Sequence, residues 1–277
     1  MVFTLEQKKQ CLQSLLRGYG SVAIGFSGGV DSSFLLSEAL VTLGASKVLA
    51  VIADTPSLPR QELAEAIKLA VDFGATYLVV EPHELRDPAY AGNSIERCYF
   101  CKRALFKLIA QSALEKGFKT VLDGNNADDA CDYRPGGRAA LELGVQSPLQ
   151  AAGLTKDEIR KLSVRAGLPT ATKPAMACLA SRIPYGTPIS AEVLLQVERA
   201  EAVLHQQGFA DCRVRHHGEI ARIEIPPQDF ARILEEATRE AIIAGVKAVG
   251  YGNVTIDLQG YRRGSLNEGV VRSVQRT

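Results

Sequence analysis

Residues 25–33 read GFSGGVDSS. The apolar run before them, SVAIGF (21–26), has the length and composition of a buried strand, and SFLLSEAL (33–40) after them reads as a helix. Two glycines, two serines and one carboxylate therefore stand where a strand hands over to a helix, a place suited to holding phosphate. Such a loop points several backbone N–H groups at one anion, helped by the positive end of the helix behind it. Gly28 and Gly29 let the chain turn tightly without a Cβ in the way, and Ser27 and Ser32 add hydroxyl donors. The common GxxxxGK[ST] loop brings its own lysine, and this loop has none. In its place stands Asp31, an acid beside an anion, which makes chemical sense if Mg²⁺ bridges the two.

Outward from the loop, the first 170 residues alternate strand-like and helix-like runs: SVAIGF, SFLLSEALVTL, KVLAVIAD, RQELAEAIKLAVDF, ATYLVVE, CKRALFKLIAQSALEKG and KTVLDGN. This rhythm predicts βαβ units, hence an α/β domain with a parallel sheet and helices on both faces. LTKDEIRKLSVRAG closes the run, with Thr155 and Glu158 as a capping box and Gly167 followed by Pro169 as the stop. The Pro- and Gly-rich stretch GLPTATKPAMACLASRIPYGTPIS (167–190) holds the expected boundary: a first domain over 1–170, a cysteine-bearing linker over 171–187 and a second domain over 188–277. In the second, AEVLLQVERAEAVLHQQG is an amphipathic helix behind a Ser190 cap, and CRVRHHGEIARIEIP alternates about His217–Gly218 as a hairpin does. A helix over QDFARILEEATREAII and a strand around NVTIDL complete a smaller α+β unit, and the tail from Gly264 reads as loosely held.

SGGVDS resembles the signature of the PP-loop ATP pyrophosphatase superfamily. The resemblance implies an adenine-nucleotide-hydrolase-like sheet that cleaves ATP between its α and β phosphates and holds pyrophosphate on Ser27, Gly28, Gly29 and Ser32, with Mg²⁺ at Asp31. VIADTP (51–56) ends a strand at the sheet edge where α/β folds bind ligands, which puts Asp54 near the adenosine; an ordinary strand-exit turn explains it equally. DGNNADD (123–129) is similar to the superfamily's second turn, so Gly124 and Asn125 join the nucleotide site and Asp128 and Asp129 become candidates to share the Mg²⁺, the alternative being solvated loop acids.

Six cysteines in a chain without a secretory leader are expected to stay reduced, in a cytosolic protein. In RCYFCKRALF, Cys98 and Cys101 have CxxC spacing and can reach one metal, pair with each other, or pack as two thiols at a helix start. Cys178, in KPAMACLASR, is the third candidate, and three thiols suit a [4Fe–4S] cluster with one iron outside protein ligation. Cys11, Cys131 and Cys212 read as small buried hydrophobes. Net charge is +1, with 32 Lys and Arg against 31 Asp and Glu, so no overall field attracts nucleic acid. No apolar stretch approaches the ~20 residues of a membrane span.

Taken in order, SGGVDS, RCYFCKRALF, DGNNADD, GLPTATKPAMACLASRIPYG and CRVRHHGEIARIEIP resemble the LarE family of ATP-dependent sulfur transferases. The resemblance implies adenylylation of a carboxylate of pyridinium-3,5-biscarboxylic acid mononucleotide, then sulfur displacement of AMP to give a thiocarboxylate for the nickel-pincer cofactor. It identifies Cys178 as the sulfur-handling cysteine. Because Cys98 and Cys101 accompany it, a cluster-bound sulfide is the expected donor, and sacrifice of the Cys178 sulfur is the alternative. Lys102, Lys173 and Arg182 could each neutralise the α-phosphate or pyrophosphate. Ser181 and Arg182 match the family's substrate-side pair, and Glu201 is a further match, though its helical position is equally compatible with facing solvent. Arg213 and Arg215, two apart on one strand, should project from one face and fork the mononucleotide phosphate. A homo-oligomer, a hexamer by analogy, and a sulfide-supplying protein complete the expected partners. A tRNA thiolase should show a basic face, an amide synthetase leaves three cysteines unexplained, and a non-catalytic nucleotide or metal carrier would release no pyrophosphate.

Overall fold

The computed structural model describes residues 3–131, 135–174 and 177–262, so the tail from Gly264 lies outside the described residues. By packing, the chain divides into one unit of Met1–Tyr90 with Ile95–Met176 and another of Ala91–Ser94 with Ala177–Thr277.

In the first unit four short apolar runs form β1 (Val22–Gly25), β2 (Val48–Ala53), β3 (Thr76–Val80) and β4 (Thr120–Leu122). They make one sheet in the order β3-β2-β1-β4 with every neighbouring pair parallel, Val22 lying beside Val48 on one side and Thr120 on the other. The helices that accompany them are α1 (Leu5–Tyr19), α2 (Val30–Leu43), α3 (Arg60–Asp72), α4 (Pro88–Ala91), α5 (Arg97–Glu115), α6 (Pro135–Glu142), α7 (Pro148–Ala151) and α8 (Lys156–Arg165). Successive strand residues point to opposite faces, and along β1 and β2 both faces are dry, while the edge strand β3 leaves Tyr77 and Val79 exposed. Val22, Ile24, Val48, Ala50 and Ile52 enter a core with Leu12 and Leu16 of α1, Phe34 to Leu36 of α2 and Ile159 and Leu162 of α8. Ala23, Leu49 and Val51 enter the opposite core with Phe106 and Ile109 of α5 and Ala140 of α6. Two covered faces explain why the strands read as unbroken apolar runs rather than as alternation. Truncating a side chain as enclosed as Phe34 should cost about 3–5 kcal/mol.

The strand order decides where a ligand goes. β1 is flanked by β2 and β4, so the connections leaving it diverge, and the crevice beyond the carboxyl ends of β1 and β4 is the binding position of such a sheet. Thr155 and Glu158 form the expected capping box that starts α8.

The second unit holds α9 (Ala191–Gln206), β5 (Arg213–His217), β6 (Ile220–Glu224), α10 (Phe230–Leu234), α11 (Glu236–Ala248) and β7 (Asn253–Ile256). β5 and β6 are an antiparallel hairpin turning at Gly218, and β7 adds in parallel beside β6. The single helix expected over QDFARILEEATREAII is instead two. The chain is extended at Glu235 (φ −56°, ψ 134°), and with that bend Ile233 of α10 and Ile242 and Val246 of α11 all enter one core with Val214 and Ile223. Residues 91–94 join this unit because the Asn93 side chain donates to the carbonyls of Pro184 and Thr187, each at 2.8 Å. Among the described residues no helix is long and apolar enough to cross a membrane.

Candidate active site

α2 begins at the loop after β1, and its N-cap Gly29 has no side chain to cap the helix, so the first-turn N–H groups are left for an anion. Two close approaches fix the loop. Gly28 has φ +67°, and a Cβ there would lie 3.1 Å from both Cα and Cβ of Ala66 on α3. A Cβ on Gly124, in the turn after β4, would lie 3.2 Å from the Ser32 nitrogen. Ser32 Oγ stands 3.1 Å from Ser27 Oγ and donates to the Gly29 carbonyl at 3.2 Å, which ties the loop's two ends together.

Asp31 faces this rim. Its Oδ2 accepts from Lys156 Nζ at 2.5 Å, while its Oδ1 is buried with no hydrogen-bond partner. Burial pushes the carboxyl above its ordinary value, Lys156 and the Asn126 side chain oppose the shift, and the Asp129 charge adds to it. Lys156 is 125 residues away in sequence. It is held there because Asp128 Oδ2 accepts the Lys156 backbone N–H at 2.8 Å and so anchors the start of α8. Asp129 accepts from the Asn126 nitrogen at 2.9 Å, and Asp123 accepts from the Asn125 side chain at 2.6 Å. The Asp123 carboxyl is also raised, by burial first, with Lys102 lowering it and Asp129 raising it further. The Asp129 charge thus acts on both Asp31 and Asp123, which is the electrostatic cost a divalent cation relieves. The orphaned Asp31 oxygen fits Mg²⁺, which takes one or two carboxylates and completes its shell with phosphate oxygens and water.

Other expected nucleotide residues have partners of their own. Asp54 is bound by Arg60 Nη1 at 2.5 Å, and the same guanidinium also holds the carbonyls of Thr55 and Leu58. Lys102 is exposed on α5, its Nζ 5.3 Å from the centre of the Phe106 ring. Lys173 donates to Glu62 at 2.7 Å and Glu65 at 3.0 Å, both on α3. Burial works against its charge, and the two carboxylates more than compensate, leaving its pKa above the usual value. Lys156 and Arg60 escaped sequence reasoning: Lys156 carries only the signal of following a helix cap, and Arg60 only that of opening a helix near Asp54.

Cys98 and Cys101 lie three residues apart at the start of α5, both reduced, Cys98 exposed and Cys101 half-buried. Cys178 belongs to the second unit, where it is exposed and starts a short turn over Leu179–Arg182. Three thiolates are suitable donors for an iron–sulfur cluster. Among the described residues, however, no three His, Cys, Asp or Glu side chains stand together as a metal site. Cys11 is exposed, contrary to expectation, because α1 turns Leu12 and Leu16 inward instead. Cys212 is buried as expected, and burial with the nearby Glu201 charge pushes its thiol up to about 12. The side chain of Cys131 lies outside the described residues.

Around Cys178 the arginines are interior groups. Arg182, 0% exposed, is bidentate to Glu201 with both contacts at 2.9 Å. Its Nη1 donates to the carbonyls of Ala177 at 2.7 Å and Cys178 at 3.1 Å, and to Ser181 Oγ at 3.1 Å. Glu201 also accepts the Val214 N–H of β5 at 2.9 Å, so it faces inward and not toward solvent. Arg215 donates to the Ser181 carbonyl at 2.8 Å and to Glu224 at 2.7 Å. Arg213 and Arg215 do share a face of β5, where both are buried. The Arg213 guanidinium lies 4.9 Å from the Tyr261 ring centre and donates to the Cys212 carbonyl at 2.5 Å.

A family model described as NAD synthase matches residues 5–91. A pyridinium-3,5-bisthiocarboxylic acid mononucleotide synthase of Lactiplantibacillus plantarum is 34% identical over 98% of this chain and 97% of its own length. An uncharacterized protein of Synechocystis is 39% identical over 95% of this chain and 98% of its own. An NH(3)-dependent NAD(+) synthetase of Aeropyrum pernix is 24% identical over 83% of this chain and 84% of its own.

Proposed function

The chain belongs to the LarE family of pyridinium-3,5-bisthiocarboxylic acid mononucleotide synthases, ATP-dependent sulfurtransferases, and from that premise we propose that it converts a carboxylate of pyridinium-3,5-biscarboxylic acid mononucleotide to a thiocarboxylate. The observation that carries the nucleotide half is the unpartnered Asp31 oxygen beside the uncapped start of α2. In this reading Ser27, Gly28, Gly29 and Ser32 hold the β and γ phosphates, with Gly124 and Asn125 closing the rim. Asp31 and Asp129 are the residues that would hold Mg²⁺, and the ion supplies charge neutralisation along the triphosphate. Lys156 leaves Asp31 for phosphate when nucleotide and metal arrive. Lys102, exposed on α5, meets the α-phosphate.

The substrate carboxylate oxygen attacks the α-phosphorus. The α–β bridging bond breaks, and its electron pair leaves with pyrophosphate. A sulfur at the sulfide oxidation level, presented beside Cys178, then adds to the acyl carbon. The acyl C–O bond breaks and AMP departs with the pair, so no net redox change is required. Ser181 and Arg213 contact the mononucleotide. Arg213 is the better placed of the two β5 arginines, since its Nη2 has only a 3.4 Å contact to the Tyr261 hydroxyl. Cys98, Cys101 and Cys178 are the residues that would hold a [4Fe–4S] cluster, which when bound offers an iron for the transferable sulfide. A second reading, in which Cys178 gives up its own sulfur and becomes dehydroalanine, draws on its exposed thiol. Anaerobic purification with iron and sulfide counts separates the two. About four irons per chain support the cluster, and an iron-free protein that transfers one sulfur and loses it from Cys178 supports the sacrificial route.

A further inference from the structure

The sulfur-bearing turn is clamped by its backbone from beneath. Arg182 has no exposed surface, and one of its nitrogens, Nη1, reaches the carbonyls of Ala177 and Cys178 on either side of the cysteine Cα. The rest of its guanidinium fork is bidentate to Glu201, and Glu201 is itself fixed by the Val214 N–H of β5. A second arginine repeats the arrangement. Arg215 holds the Ser181 carbonyl, three residues beyond the cysteine, and is braced by Glu224, 1% exposed, which Arg222 also contacts at 3.1 Å. The carbonyls of residues 177, 178 and 181 are thereby tied to two neighbouring positions of one strand.

We propose that Arg182 and Arg215, with Glu201 and Glu224 behind them, are positioning residues for Cys178 and do not bind the mononucleotide phosphate. The inference rests on the reading of Cys178 as the sulfur-handling residue. Its physical basis is the donor inventory. A guanidinium has five N–H donors in a fixed fork, and Arg182 has directed Nε and both terminal nitrogens to acceptors of its own unit. Releasing it toward a substrate phosphate would strand the Glu201 carboxylate in the interior, which is strongly unfavourable. Its planar fork matches two carbonyls and a carboxylate at once, a task a lysine cannot perform. The clamp sets where an exposed thiol stands while the acyl adenylate waits, and an error of about 1 Å there costs on the order of 100-fold in rate.

The test uses the full chain as purified, with Arg182→Lys and Glu201→Gln compared with the unaltered protein. Pyrophosphate release, thiocarboxylate formation and alkylation of Cys178 by iodoacetamide are followed together, with buried Cys212 as the unreactive internal standard. Arg182→Lys is expected to keep pyrophosphate release and the KM for the mononucleotide within about 3-fold, to lower thiocarboxylate formation about 100-fold, and to change the Cys178 alkylation rate at least about 5-fold. Glu201→Gln, which loosens the clamp without removing the guanidinium, should show the same split at about 10-fold, and it carries the test if Arg182→Lys does not fold. A raised KM with equal loss of both half-reactions would assign Arg182 to the substrate and overturn the proposal. So would losses of both half-reactions that merely track a lowered folded fraction, or an unchanged thiol reactivity. Absence of pyrophosphate from the unaltered protein would sink the functional reading instead, and the alkylation rates would still report on the clamp.

Discussion

The nucleotide rim of the first unit and the arginine clamp of the second are built on opposite principles. At the rim the groups on offer are backbone N–H donors and an acid with an oxygen left over, so under the proposed function it is phosphate and metal that complete the site. In the clamp each arginine reaches carbonyls and carboxylates of its own unit. The contrast teaches that charge near a reacting atom has two uses. An unsatisfied group recognises something that arrives, and a satisfied one holds something in place.

The sharpest way to break the comparison is Asp31→Asn. If the rim works through a carboxylate–metal contact, pyrophosphate release should fall on the order of 1,000-fold with little change in the thermal midpoint, because the substituted side chain was not fully partnered. A mainly structural loss would erase the distinction. Glu201→Ala should do the reverse. It leaves Arg182 enclosed without its carboxylate, so chemical denaturation should show a loss of about 3–5 kcal/mol, far beyond that of a surface ion pair such as Lys68–Asp72. If the loss is below ~1 kcal/mol, the clamp is not the tight structure its geometry describes.

A smaller effect sharpens the rim. Gly28→Ala places a Cβ at positive φ against Ala66 and should cost about 1–2 kcal/mol, with weaker ATP binding by calorimetry exceeding any change in mononucleotide binding. The smallest expected effect concerns Glu84, 1% exposed, close behind Thr55 and Ser57 at the exit of β2. Burial raises its carboxyl above the ordinary 4.5, with hydrogen bonds from Thr55 and Ser57 opposing. A raised acid binds its proton more tightly when folded, so its contribution is full below pH 4.5 and is lost as pH rises through the folded value. Glu84→Gln should therefore flatten the decline of stability over that window, read from urea midpoints against pH.

Much of the fold was legible because its signals are local. Val22–Gly25 and Val48–Ala53 are apolar runs of strand length, and Thr155 with Glu158 marks a helix start within four residues. The rim was legible for the same reason, since Gly28, Asp31 and Ser32 lie within five residues of one another. The Lys156–Asp31 contact was not, because it joins positions 125 residues apart. The surroundings of Arg182 and Arg215 were not legible for a different reason. Sequence shows a charge and its spacing on a strand, whereas burial and the identity of the partner are tertiary facts. The broken helix at Glu235 and the recruitment of 91–94 into the second unit belong to the same class, with nothing in their spacing to announce them.

The central claim is that the β1 loop grips the two departing phosphates of ATP. The most direct measurement is phosphorus NMR of the purified full chain with Mg²⁺, ATP and pyridinium-3,5-biscarboxylic acid mononucleotide. Pyrophosphate should appear, matched by AMP that is either free or held as the acyl adenylate, dependent on the acceptor acid and absent in Asp31→Asn. ADP and orthophosphate in their place, or pyrophosphate formed at the same rate without the acceptor, would contradict it.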